Sequence, residues 1–294
     1  MSFHLDGVSF RYPGSAASAP VLRDVSVELP AGEVIAVLGP SGCGKTTLLN
    51  LLSLLWEGDG QAGTIVYRDG PARFDYRELG RDPRRRAALR RERFGVVLQN
   101  CYLLPHFSCL HNVCLPLALL GWSEPEQAAW SEALIRVVGA APNDLWEARH
   151  RMPRAVSLGQ RQRFAVLRAV AHHPRVVFAD EPTSNLDPAS MHAVLQLLLD
   201  WHAGRLLHRA AAALDPFPTG LRERLERGQA ADAGPRTLIL VCHQRELARA
   251  CADRVLLFDA EHRLADTFTA GRWAELDARA GAVLRLAPLE RSPP

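Results

Sequence analysis

Lysine is almost absent from this sequence. Of 35 basic side chains only Lys45 is a lysine, and the others are all arginines. A solvated surface charge can be either residue, so compositional bias accounts for the arginines. The position that kept a slim ammonium instead of a planar fork needs a separate reason. Long apolar runs are missing as well: the longest, 48–56 and 113–122, are interrupted by Asn50, Ser53 and Pro116. They reach about half the length of a membrane-spanning helix, so no bilayer crossing is expected. Six cysteines, at 43, 101, 109, 114, 242 and 251, are too few and scattered for a disulfide framework and suit a reducing compartment. The net charge of +3 is too small to argue for a nucleic-acid partner. The first ten residues lack the basic region and apolar run of a secretory signal. What is present, 294 residues with 48% hydrophobic and 23% charged, has the composition of a globular protein with ample material for a core.

The pattern along the chain alternates short strands with helices. Strands are expected over 3–10, 21–29, 33–38, 63–69, 94–98, 176–179, 237–242 and 255–258, with a linker at 13–20 between the first two. Helices are expected over 46–55 and 81–93, and through most of 100–172 with breaks near Pro142 and Pro153. Short apolar strands separated by helices predict an α/β fold with a parallel sheet. No internal repeat is present.

Lys45 closes the loop Gly39, Pro40, Ser41, Gly42, Cys43, Gly44, Lys45, Thr46, a full match to the phosphate-binding pattern. The loop follows an expected strand and opens an expected helix, which is the context the pattern requires. Its glycines let backbone N–H groups turn inward toward phosphate oxygens, and the helix N-terminus adds its positive end. Lys45 then reaches the β and γ phosphates, Thr46 ligates Mg²⁺, and Thr47 lies next to it. A second apolar strand ends in Asp180 and Glu181. Asp180 suits the metal, directly or through water, and Glu181 suits a base that polarises the attacking water.

With these two motifs the chain resembles the ATP-binding cassette ATPases, the nucleotide-binding subunits of ABC transporters, over nearly its whole length. Further motifs follow in that family's order. Tyr12 matches the aromatic residue that stacks on adenine. Gln99 matches the glutamine that touches Mg²⁺ and the water. Residues 156–163, including Ser157, Gly159 and Gln160, match the signature. Ser184 to Asp187 match the loop after the catalytic acid, and His243 matches the switch histidine on the γ-phosphate. The resemblance implies a phosphate-loop fold of ABC type, with a RecA-like parallel core, an N-terminal antiparallel β subdomain and a helical subdomain. It implies one cassette over 1–294: core at 1–99 and 171–265, helical subdomain at 100–170, insertion at 202–236 and extension at 266–294. The implied ligands are ATP and Mg²⁺. The implied partners are a membrane permease and a second cassette, with an identical copy favoured, at the cytoplasmic face of the cell membrane. In such a pair Ser157 and Gly159, at a helix start, close on the nucleotide held by the other copy.

The sequence departs from that family in a few places. Leu158 stands where the signature has its first glycine, and Val156 where it has its leading leucine. Either Leu158 points away, or it crowds the partner's nucleotide or forbids a glycine-only backbone and slows turnover. Cys242 and Gln244 flank His243 where Thr and Asp are common. Glu181 and His243 lie 62 residues apart, about twenty more than the family norm, and the excess falls after Trp201, where a partner-binding or dimer-stabilising role is one reading. The stretch 89–105 resembles the subgroup of macrolide exporters, lipoprotein-releasing complexes and the cell-division cassette, which transmit force to a permease. Leu103, Leu104, Phe107 and Leu110 either line a groove for that permease or belong to the core. The arginines at 84–93 are a solvated helix face or a site near anionic lipid. Cys101, Cys109 and Cys114 fit no common zinc spacing and are expected as buried thiols. Two other functions remain open: a nucleotide switch acting on an extracytoplasmic enzyme through a membrane protein, and a soluble cassette ATPase of DNA repair or translation.

Overall fold

The computed structural model describes residues 1–13, 20–56, 60–138, 144–214, 221, 223, 225, 234–269 and 272–276. Most of the 13–20 linker, the break at Pro142, much of the 202–236 segment and most of the C-terminal extension lie outside them. The chain divides into two compact units, one of residues 1–82 with 240–294 and one of residues 83–239.

In the first unit, β1 (Ser2–Phe10), β2 (Leu22–Leu29), β4 (Gln61–Asp69) and β5 (Ala72–Asp75) form a four-stranded antiparallel sheet in the order β2-β1-β4-β5. Phe3 and Leu5, then Val8 and Phe10, are buried on β1, the period of two of a sheet with one covered face, offset by one residue at an irregularity between Leu5 and Val8. β3 (Val34–Leu38) differs, because all five of its residues are buried. A strand buried on both faces belongs in a parallel pairing, and β3 runs parallel to β9 (Arg254–Phe258), which pairs antiparallel with β10 (Leu264–Thr269). Helix α1 (Lys45–Leu52) follows β3. It stops three residues short of expectation because Leu54 takes a left-handed φ of 59° and ends the turn. The helix expected at 81–93 is present but begins two residues later, because Arg81 ends a separate short helix. α2 (Tyr76–Arg81) starts at its Asp75 cap, and α3 (Pro83–Arg93) begins after Asp82, which sits outside the helical region ahead of a proline. β5 and β10, short and half-exposed, were not expected.

In the second unit β6 (Phe94–Val97) runs parallel to β7 (Val176–Asp180), whose five residues are all buried. Its helices include α3, α4 (Cys109–Leu119), α5 (Glu124–Val138), α6 (Asp144–Ala148), α7 (Leu158–Val170), α8 (Pro188–His202) and α9 (Arg205–Ala212). α3 carries six arginines and one glutamate and buries only Leu89. That helix alone exceeds the chain's net charge of +3, so the positive field is local to it and the rest is slightly acidic. α4, α5 and α7 pack together around Trp130, Phe164 and Leu117, all fully buried. β8 (Thr237–Val241) leads back into the first unit, and α10 (Arg245–Cys251) follows there.

Two adjacent histidines close α7. His173 lies under the Trp130 ring at 5.1 Å, while the indole Nε1 donates to the Ala171 carbonyl at 2.9 Å. Burial, with Arg236 and His172 adding to it, pushes the His173 pKa down to about 3, and burial pushes His172 to about 4. Both are lowered bases, so above pH 6.5 each is neutral whether folded or unfolded. Below pH 6.5 the unfolded chain takes protons that the folded chain refuses, and stability falls. The expected slope is about 1.4 kcal/mol per pH unit for each histidine once the unfolded form is protonated. His173→Asn keeps a residue tolerant of the left-handed φ of 58° found there. Urea midpoints between pH 7 and 5 should therefore show a shallower acid slope for His173→Asn than for the parent chain.

Candidate functional site

In the first unit the candidate site residues gather at the turn between β3 and α1. Gly44 caps α1 at φ 102°, and a side chain there would meet the Val21 carbonyl oxygen at 2.3 Å. Only glycine satisfies both demands. Lys45 is 5% exposed, and its ammonium folds back to donate to the carbonyls of Gly39 at 2.9 Å and Pro40 at 2.8 Å, with Cys43 Sγ at 3.9 Å. Gly39 packs against that same sulfur. Burial raises the Cys43 thiol pKa, with the Lys45 charge opposing. Ser41, Gly42 and Thr46 are exposed along the loop and Thr47 is buried. The Tyr12 hydroxyl lies 3.0 Å from Thr47 Oγ1. Its ring meets Phe10 and Trp56 edge-on, each at 4.9 Å, and those two rings meet edge-on at 5.2 Å. Tyr12 is thus one member of an aromatic trio, and Trp56 is a neighbour that the sequence did not single out. His243 is exposed at the entry to α10, and Cys242 N–H donates to the Val37 carbonyl of β3 at 3.3 Å. Gln244 occupies the cap position of α10 without a side-chain capping bond.

In the second unit the candidate residues gather around β7. Asp180 is 4% exposed at its end, and Glu181 follows at a left-handed φ of 46°. A non-glycine residue in that region is uncommon and carries strain. Glu181 Oε2 accepts from Gln99 Nε2 at 3.0 Å and from the Ser184 hydroxyl at 2.9 Å, so two of the expected site residues meet directly. Asp187 caps α8, accepting from the Ala189 and Ser190 amides, and Ser190 holds its carboxyl below the usual range. Ser157 caps α7 in the same way. Its hydroxyl accepts from Gln160 N–H while Gln160 Oε1 accepts from Ser157 N–H, a reciprocal capping box readable from the spacing alone. Gln160 Nε2 also reaches Asp144, whose carboxylate takes a bidentate pair from Arg163. A side chain at Gly159 would meet Ser190 Oγ at 2.4 Å, so the glycine is needed for the close packing of α7 on α8. Leu158 is the first residue of α7, right-handed and 37% exposed. The expectation of a glycine-only backbone there is therefore corrected: a helical first-turn position accepts any side chain.

Beyond Gln99 the chain is held by α7 and α4. Cys101 and Tyr102 take left-handed φ values of 61° and 43°, and Arg168 donates to both carbonyls, at 2.9 and 2.7 Å. Cys101 Sγ lies 2.6 Å from Gln162 Oε1. Asn112, fully buried, accepts from Leu104 N–H and donates to the carbonyls of Leu104, Phe107 and Ser108. Tyr102, Leu104 and Phe107 are consequently exposed on a fixed loop, whereas Leu103 is half-buried and Leu110 joins the core. Cys101, Cys109 and Cys114 are buried. Neither Arg168 nor Asn112 carries a pattern that sequence reasoning could have found.

Among the described residues no three His, Cys, Asp or Glu side chains gather closely enough to hold a metal by themselves. A Mg²⁺ that arrives with nucleotide needs only one or two protein carboxylates, and the buried Asp180 supplies a donor of that kind. The glycine turn that a Cβ would fill and the buried ammonium beneath it suit a polyphosphate.

A buried strand, a glycine loop and a helix in one unit, and a buried acid at a strand end in the other, define the α/β phosphate-loop class of nucleotide-binding proteins. The model of the ABC transporter family matches residues 22–184. The chain is 38% identical over 200 residues to the lipoprotein-releasing system ATP-binding protein LolD of Ruegeria, spanning 82% of that protein and 68% of this one. It is 35% identical to the macrolide export ATP-binding/permease protein MacB of Chromobacterium violaceum, of which it spans 29%, again with 68% of this chain. The dimeric structure of the ATP-binding cassette MJ0796 bound to ADP and phosphate has a similar fold, with a TM-score of 0.69 at 24% identity, over 91% of this chain and 98% of that one. The chain belongs to the ABC transporter family.

Asn112→Ala would remove a side-chain partner from four backbone groups, of which the Leu104 carbonyl keeps Phe107 N–H and the Ser108 carbonyl keeps the backbone N–H of residue 112. The expected cost is about 2 kcal/mol in urea unfolding, with faster hydrogen exchange over 104–108. Unchanged exchange there would mean that the loop is held by something else.

Proposed function

We propose that this chain binds and hydrolyses ATP as the nucleotide-binding subunit of a membrane transporter, and that it pairs with a second, identical cassette and drives a permease by transmitting force. The observation that carries the reading is Glu181, poised by Gln99 and Ser184 in a backbone conformation that side chains rarely adopt. Strain of that kind collects at reacting centres. In this reading the loop Gly39–Thr47 cradles the phosphates, Lys45 turns its ammonium from loop carbonyls to the β and γ oxygens, and Tyr12 packs on the base. Thr46, Gln99 and Asp180 hold Mg²⁺, which would neutralise phosphate charge. Glu181 takes a proton from the attacking water, and His243 orients the γ-phosphate. Ser157, Gly159, Gln160 and Asp187 face the nucleotide of the other copy. The names of LolD and MacB support the subgroup. Among the described residues no helix is long and apolar enough to cross a membrane; membrane attachment, at the cytoplasmic face, would come through a permease docked on Tyr102, Leu104 and Phe107.

Lys45→Arg should abolish hydrolysis, because the wider guanidinium does not fit a loop closed around the ammonium; measurable turnover would overturn the assignment of this loop. Glu181→Gln, purified with its membrane partner, should retain ATP and trap the closed pair. A variant that stays monomeric with ATP, or a wild-type chain that purifies with nucleic acid in place of a permease, would refute the transporter reading. The exposed Leu158 at the helix start is proposed to keep basal turnover low until the permease engages. Leu158→Gly should raise basal turnover roughly tenfold, a barrier change of about 1.4 kcal/mol. A parent chain with ordinary, unstimulated turnover would remove that role.

A further inference from the structure

The segment after Trp201, longer than the family norm, is left without a role by the reading above. Its first helix, α9, buries Leu206, Leu207 and Ala210 and exposes Arg205, His208 and Arg209. α9 packs against α5 and α8, and the three helices line a half-open cavity of about 300 Å³. That volume lies at the lower end of small-molecule sites.

The cavity is polarised. Its apolar wall is Leu197 and Leu206, both buried, with Val137 and Val138 half-buried beside them. Its polar wall includes His192, Gln196 and Arg209, all exposed, and Asp200. Arg209 is fixed there because its Nη2 donates to the Val137 carbonyl at 2.6 Å, in the last turn of α5. Asp200 is already saturated. Oδ1 accepts from Arg205 at 2.7 and 2.9 Å and from Gln196 at 2.9 Å, and Oδ2 lies 3.6 Å from Arg209 Nη1. Two guanidinium groups against one carboxylate leave a single positive charge at the polar wall. The Arg209–Asp200 contact is long and the Arg209 side chain is 54% exposed, so Nη1 can take an anion while Nη2 stays on the Val137 carbonyl. No motif of the phosphate loop, the catalytic acid or the signature contributes a side chain to this cavity.

We propose that the cavity is a binding site for a small amphipathic monocarboxylate, with its chain against Leu197 and Leu206 and its carboxylate on Arg209. The single excess charge favours a monoanion over a phosphate ester, and the apolar wall requires a hydrocarbon body. A ligand held there bridges α5, α8 and α9, and α8 is the helix capped by Asp187. The long segment thereby supplies one wall of a site.

The test uses the full chain and octanoate as probe. Isothermal titration should give saturable binding with one site. Arg209→Gln should weaken it roughly tenfold, the equivalent of about 1.4 kcal/mol, and octanol should bind at least as weakly as octanoate does to that variant. Hydrogen exchange should show protection in α9 and the last turn of α5. Leu206→Trp, which fills the cavity, should abolish binding; if it does not fold, the Arg209→Gln and octanol arms decide. Absence of saturable binding, equal affinity for octanol, or full affinity in Arg209→Gln would each overturn the proposal.

Discussion

The first unit depends on one tight reversal of the backbone. β3 runs out of the sheet and only six residues separate it from α1, and Gly44 makes this possible by taking a left-handed turn against the Val21 carbonyl. The start of α1 brings Lys45 under the loop and Thr47 to the Tyr12 hydroxyl. A bulkier residue at 44 would have to push β2 or the helix aside. Leu22, at the start of β2, and most of α1 are buried, and a close-packed interior gives little room for that. The loop is thus held from outside by the packing of its flanking elements and from inside by the lysine's bonds to its own carbonyls.

The second unit places its acids by a different device. β7 is buried on both faces and delivers Asp180 to its end, after which the chain turns sharply through a strained Glu181. The strain is offset locally, because Ser184 and Gln99 both donate to the same carboxylate oxygen. Arg168 fixes the turn that follows Gln99, and Asn112 fixes the loop beyond it. A movement of α7 therefore displaces the Cys101–Tyr102 turn next to Gln99. Glu181 itself answers to Ser184, at the approach to α8.

What the sequence disclosed depended on how local each constraint is. The phosphate loop and the strand bearing Asp180 and Glu181 were legible because glycine spacing and short apolar runs are properties of neighbouring residues. The family resemblance followed from their order. The break between α2 and α3 was also local, since Pro83 signals it, yet arginine periodicity across 81–93 masked the proline. Leu54 gave no warning, because a left-handed leucine has no sequence mark. Long-range partners were invisible for the same reason: nothing in the neighbourhood of Arg168 says that it grips Cys101 and Tyr102. Ser157 and Gln160 lay between these cases. Their spacing announces a helix cap, and they also match the signature, so one pair of residues satisfies two readings.

The burial of Lys45 has a consequence for covalent chemistry. Reagents and enzymes that acylate amines have, besides the chain's own α-amine, a single side chain to attack, and that one is 5% exposed. Arginines elsewhere keep the surface charged while remaining inert to such acylation. Labelling of a side-chain amine in this protein is therefore a direct reporter of how often the loop above Lys45 opens.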